Sequence, residues 1–184
     1  MQINISSKQI LKILYILAWI IFVGLCVKAG GFFVNAFTTM LFNPEGARHF
    51  WKQVDLDALY RFDKGYFFVI SFFIVLVAVL KACMFYHIIK ILHDKKLDMA
   101  LPFSKAVGRF VFILSYFSLL TGAFCLWGSR YSEWLEQKGV AMPDTDSMGL
   151  EGPTIWLFMG IILFVIGHIF KRGIEMQTEN ELTV

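Results

Sequence analysis

Acidic residues are missing from every long apolar stretch of this chain: none lies in 10–42, 66–92, 107–127 or 154–170. A carboxylate relay for protons, or a carboxylate cage for a cation, is therefore excluded from those stretches. The patterns H-E-x-x-H, G-x-S-x-G and G-x-x-x-x-G-K are absent too, which argues against a zinc protease, a serine hydrolase and a phosphate-cradling loop. Cysteine is scarce. Cys26, Cys83 and Cys125 each sit in an apolar stretch, and an odd count in such places gives no disulfide framework and no metal-ligand set. They read as small packing residues. The same holds for His87 and His168, each near the end of a stretch, as packing residues rather than proton carriers. A net charge of +3, with no Lys/Arg tract among stacking aromatics, excludes nucleic acid as a partner. The chain reads as a non-enzyme with no cofactor and no metal.

What is present is apolar sequence in blocks. Of 184 residues, 58% are hydrophobic, 20 are Phe and 17% are charged, against about 25% charged in an ordinary soluble domain. A hydrocarbon core of ~30 Å takes about 20 helical residues at ~1.5 Å each. The blocks predict an all-α membrane protein: one four-helix transmembrane domain with spans at about 10–42, 66–92, 107–127 and 154–170. Lys8 and Lys12 precede the apolar stretch from Ile13 to Val27 as in a signal peptide, but Lys28 and Gly30-Gly31 stand where a cleavage site would. The first block is expected to be a true span, long enough to protrude from the bilayer or to bend at Gly30-Gly31.

Charge sets the expected orientation. Between the second and third blocks, Lys90, Lys95, Lys96, Lys105 and Arg109 face only Asp94 and Asp98. Between the third and fourth, Arg130 and Lys138 face Glu133, Glu136, Asp144, Asp146 and Glu151. The positive-inside rule then places both termini, the 93–106 loop and the 171–184 tail in the cytoplasm, with 43–65 and 128–153 outside. Within 43–65, Phe50, Trp51, Val54, Ala58, Leu59 and Phe62 recur at helical spacing. A short amphipathic helix is expected there, lying at the interface or closing over an outward pocket. Gly139 to Pro153, rich in turn formers, reads as an exposed loop. Ser104, after Pro102, suits the cap of the third helix. Ser118 and Gly122 form a small-xxx-small pair, extended by Ser115 and Cys125, and Ala78 with Ala82 forms another. The two faces are expected to meet inside the bundle, or to serve as a dimer seam.

Lys81 is the one charge deep in a span. It lies nine residues before Lys90, hence ~13 Å deeper along a helix, and a central lysine costs about 3 kcal/mol to insert. With no acid in the spans, no ion-pair partner is expected at its depth. Three outcomes stay open: a neutral amine, an amine among hydroxyls and carbonyls in a wet crevice, or an amine that binds an anion. Tyr86, Ser115, Tyr116, Ser118 and Thr121 are its candidate polar neighbours.

The run LKACMFYHIIKIL followed by LPFSKAVGRF resembles a bacterial membrane family known as domain of unknown function 2975, through Lys81, Ala82, Phe85, Tyr86, Lys90 and Pro102-Phe103-Ser104. The ending FKRGIEMQTENELTV is similar to that family's ending, at Gly173, Glu179, Leu182, Thr183 and Val184. The resemblance covers essentially the whole chain. It implies four spans and a bacterial inner membrane, makes Lys90, Pro102, Phe103 and Ser104 a candidate cytoplasmic motif, and implies no activity. The expected role is a non-enzymatic sensing, regulatory or interaction protein that contacts membrane lipid and a protein partner at the cytoplasmic face, with homo-oligomerisation open. The alternatives are a small transporter or channel with Lys81 lining an anion path, and an immunity-type protein against a membrane-active toxin.

Overall fold

The computed structural model describes residues 7–42, 44–50, 54–94 and 104–181. Pro102 and Phe103 lie outside the described residues. Helix α1 spans Ser7–Leu41, a 3-10 turn covers Pro44–Ala47, α2 is Asp57–Phe62, α3 is Lys64–His93, α4 is Lys105–Gln137 and α5 is Pro153–Glu181. Four of these, α1, α3, α4 and α5, are long and apolar enough to cross a membrane, and no strand occurs among the described residues. Helix α1 runs unbroken through Gly30 and Gly31. The long helices pack in chain order, α1 on α3, α3 on α4 and α4 on α5.

Local chemistry explains the helix starts. Asp63 Oδ1 accepts from the amides of Gly65 at 2.7 Å and Tyr66 at 3.0 Å, which caps α3. Ser104 Oγ accepts from Val107 N at 3.2 Å and caps α4. Pro153 opens α5, where its missing N–H costs nothing.

Burial is uneven. Among the described residues, those buried on α1 are Ala18, Ala29, Phe32 and Thr39, and those on α5 are Gly160 and Gly167. The outer helices thus present apolar surface all round, as helices in lipid do. The dense core lies instead at the end that carries α2. There Phe67 takes the ring of Phe50 edge-on at 5.7 Å and that of Tyr60 at 5.2 Å, and Phe32 stacks on Phe50 at 6.0 Å. Leu56 and Leu59 are fully buried in the same cluster. The small-residue stripe of α4 meets α5 rather than the Ala78/Ala82 face. Ser115 Oγ donates to Gly160 O and Ser118 Oγ to Trp156 O, each at 2.9 Å. Ala82 borders a gap with Phe22, Cys26 and Ala29 of α1. The expectation that the two small faces meet each other is corrected in part: Ser115, Ser118 and Gly122 serve α5 and Ala82 borders α1, while Ala78 and Cys125 share one buried cluster.

The segment after α4 also departs from expectation. It does not extend as an exposed loop. Helix α4 continues to Gln137 and ends in a Schellman motif. Val140 N donates to Leu135 O and Gly139 N to Glu136 O, with Gly139 at φ +84°. Val140 and Leu135 are both buried there, the apolar contact that accompanies such a cap. The chain then folds back, burying Met148 and Leu150 completely, and Ser129 Oγ on α4 donates to Leu150 O at 3.2 Å. Turn-forming residues are present, but three apolar anchors among them pull the segment into the core.

An ion cluster fastens the segment around α2. Arg48 and Arg61 both place Nε near Asp57 Oδ2, at 3.2 and 3.0 Å. Partial burial disfavours the charged carboxylate, but the two guanidinium groups outweigh it and hold Asp57 below its ordinary value of 3.8. A depressed folded pKa contributes stability that is complete above the ordinary value and disappears as pH falls through the folded one. The melting-temperature gap between wild type and Asp57→Asn should therefore be open at neutral pH and close below pH 3.8. A gap that persists unchanged at lower pH would rule the carboxylate out as its source.

Candidate functional site

Lys81 has two hydrogen-bond partners, and both lie outside the spans. Side chains on a helix lean toward its N-terminus, and the N-terminus of α3 is at the α2 end, where the segment after α4 folds back. The Lys81 ammonium donates to Gly149 O at 2.9 Å and to Glu151 Oε1 at 3.1 Å. It also sits 5.3 Å from the ring centroid of Trp156, within range of a cation–π contact. The lysine side chain is 11% exposed and the glutamate side chain 45%. The expectation of an unpaired amine is corrected: no acid lies in the spans, but the returning segment delivers one to Lys81 just before α5 begins.

Gly149 is held from two sides. A second ammonium, that of Lys28 on α1, lies 5.6 Å from the Phe32 ring centroid. A Cβ added at Gly149 would come within 3.2 Å of Lys28 Nζ, and Gly149 has φ +76°. The left-handed backbone favours glycine here, whereas the flexible Lys28 tip could yield to a side chain. The next turn is made by Gly152 at φ +61°, whose carbonyl accepts from the amides of Ile155 and Trp156. Lys28, Lys81, Gly149, Glu151 and Trp156 therefore join α1, α3, the returning segment and α5 at one level. This arrangement clamps helices together.

The polar neighbours expected for Lys81 are placed elsewhere. Ser115 and Ser118 spend their hydroxyls on α5 carbonyls. Thr121 is fully buried, and its hydroxyl makes no hydrogen bond among the described residues. Tyr86 is half exposed, with its ring on Phe22 and His87, and Tyr116 is half exposed against Phe164. Lys90 is exposed at the last turn of α3, and Ser104 is the α4 cap. His87 packs against Phe117, and the His168 ring sits between Phe112 and Phe164.

Sequence reasoning missed Glu151, Gly149 and Trp156. One signal could have found the acid: Glu151 stands immediately before Gly152-Pro153, the start of a span, so it enters at the membrane boundary where a long lysine stem can reach it. It also missed Gly160 and Gly167, seven residues apart on α5. A Cβ at Gly160 would meet Leu119 Cγ at 2.7 Å and its backbone N at 2.9 Å, and one at Gly167 would meet the Phe112 ring at 3.0 Å. Among the described residues no group of three His, Cys, Asp or Glu side chains could hold a metal. No protein-family model, curated protein or solved structure matches this chain.

Proposed function

We propose that the chain is a non-enzymatic regulatory or interaction protein of a bacterial inner membrane, with both termini in the cytoplasm and α2 outside. The observation that carries this reading is the Lys81–Glu151 pair. Glu151 is two residues from the first turn of α5, so the ion pair fixes where that helix starts. A helix is a stiff rod, and α5 runs from Pro153, two residues after Glu151, to the polar residues beyond Lys171. An event at the α2 end that shifts the returning segment would therefore move the far end of α5, where a cytoplasmic partner would read it. The family resemblance through Lys81 and the Pro102-Phe103-Ser104 motif supports the same class of membrane protein.

The test is a spin label at Gln177, an exposed position on the last turns of α5, in protein reconstituted in bilayers. Glu151→Ala should change the label's mobility although it lies about 39 Å away along the helix axis. Identical spectra in the two proteins would remove the coupling on which this role depends. The anion-path alternative draws on Lys28 and Lys81 flanking Gly149, but Lys81 already spends donors on Glu151 and Gly149. Liposomes containing the wild type should pass no chloride. Chloride flux that Lys81→Glu switches to cation flux would replace the regulatory reading.

A further inference from the structure

At the end of the molecule opposite α2, a cleft of about 210 Å³ opens between the last turns of α3 and the first turns of α4. Its lining is two-faced. Lys90 and Arg109 supply two cations, with the His87 ring beside them and Asp94 as the one acid among the described lining residues. Ile91, Phe110 and Ile113 form the apolar side. Neither Lys90 nor Arg109 forms an ion pair among the described residues, whereas Asp94 has a partner of its own.

The helix dipoles do not decide the sign of this cleft. The carbonyl end of α3 and the amide end of α4 meet there, each equivalent to about half a charge of opposite sign, and they offset one another. The lysine and arginine decide it, leaving a cationic site. Depth points to the ligand. Along α5, the residues after Phe170 are Lys171 and Arg172, so apolar surface gives way to charge at this same end. Lys90 and Arg109 stand at the matching transition on α3 and α4. An anion held by them would lie at headgroup level, with the apolar wall continuing toward the hydrocarbon.

We propose that this cleft binds the phosphate of an anionic phospholipid, with Lys90 and Arg109 gripping the phosphate oxygens, His87 donating from the side, and one acyl chain lying along Phe110 and Ile113. A phosphodiester or a free phosphate would satisfy the cations. The apolar wall favours the lipid, because only a molecule with a tail uses it.

The experiment is native mass spectrometry of the full chain released from phosphatidylcholine nanodiscs doped with phosphatidylglycerol. One phosphatidylglycerol should be retained in preference to phosphatidylcholine. Removing both cations in Lys90→Gln/Arg109→Gln should reduce that preference about twenty-five-fold, at about fivefold for each basic residue near a membrane surface. Lys90→Arg/Arg109→Lys should keep it, which separates loss of charge from loss of fold. Lys171→Gln/Arg172→Gln, the same charge change on α5, should also keep it. The assignment is overturned if the wild type shows no preference, or if the α5 variant loses as much as the cleft variant. Displacement of the bound lipid by excess inorganic phosphate would assign the site to a soluble anion and overturn the lipid reading; retention supports it.

Discussion

Gly160→Ile is expected to part α5 from α4 and to destabilise the protein by about 3 kcal/mol or more, at or beyond the upper end of overpacking costs. The first carbon of the new side chain would fall 2.7 and 2.8 Å from Leu119 Cγ and Cδ2, and 2.9 Å from the Leu119 backbone nitrogen. The leucine tip can rotate away, but the backbone of α4 cannot move without the whole helix. Lipid chains are as apolar as the helices, so no hydrophobic drive compensates; close approach and interhelical hydrogen bonds hold the pair. Both are concentrated here, because Ser115 and Ser118 donate to carbonyls on either side of the same contact. Gly122 is its mirror on α4, with an added Cβ 2.8 Å from the Leu157 backbone nitrogen. Gly24 has nothing within 4 Å of an added Cβ, and Gly24→Ala should be neutral or should stabilise by up to about 1 kcal/mol through helix propensity. Thermal unfolding of the three proteins in one detergent checks the contrast. If Gly160→Ile melts with Gly24→Ala, the close α4–α5 contact does not exist.

The second large effect concerns the ion pair, and its signature is an asymmetry. Glu151→Ala leaves a lysine 11% exposed without its acid. Breaking a buried pair from one side costs roughly 3–5 kcal/mol; the half-exposed glutamate and the remaining Gly149 carbonyl bring the expectation to about 2–3 kcal/mol. Lys81→Met removes the more buried charge instead and leaves the acid of a side chain that is 45% exposed, although its Oε2 is buried. Its cost should be smaller, about 1–2 kcal/mol, because the carboxylate left behind is less desolvated than the ammonium. Lys81→Met/Glu151→Ala should then be more stable than Glu151→Ala alone. Denaturation of the four proteins of this cycle gives the coupling. Additive losses would mean that the two side chains do not sense each other.

The four long helices were legible because blocks of apolar residues have one stable answer in lipid. The serine and glycine stripe of α4 was legible for a related reason, since small residues four apart mark close helix contact. Its partner was not. A stripe says that something comes near, and only the complementary gap, here Gly160 and Gly167 on α5, says what. Lys81 stood out as the deep charge, yet its acid was discounted because the Gly139–Pro153 segment looked like exposed loop. Val140, Met148 and Leu150 carry no helical or strand periodicity, so composition could not show that they fold inward. That single fold-back brings Glu151 to Lys81.

The most direct measurement is the magnetic dipolar coupling between ¹⁵N at Lys81 Nζ and ¹³C at the Glu151 carboxyl, recorded by solid-state NMR on the full chain in lipid bilayers. An Nζ–Oε1 separation of 3.1 Å predicts a measurable coupling between the two nuclei. No measurable coupling in the wild type would mean that the returning segment does not reach α3, and that α5 is not anchored there.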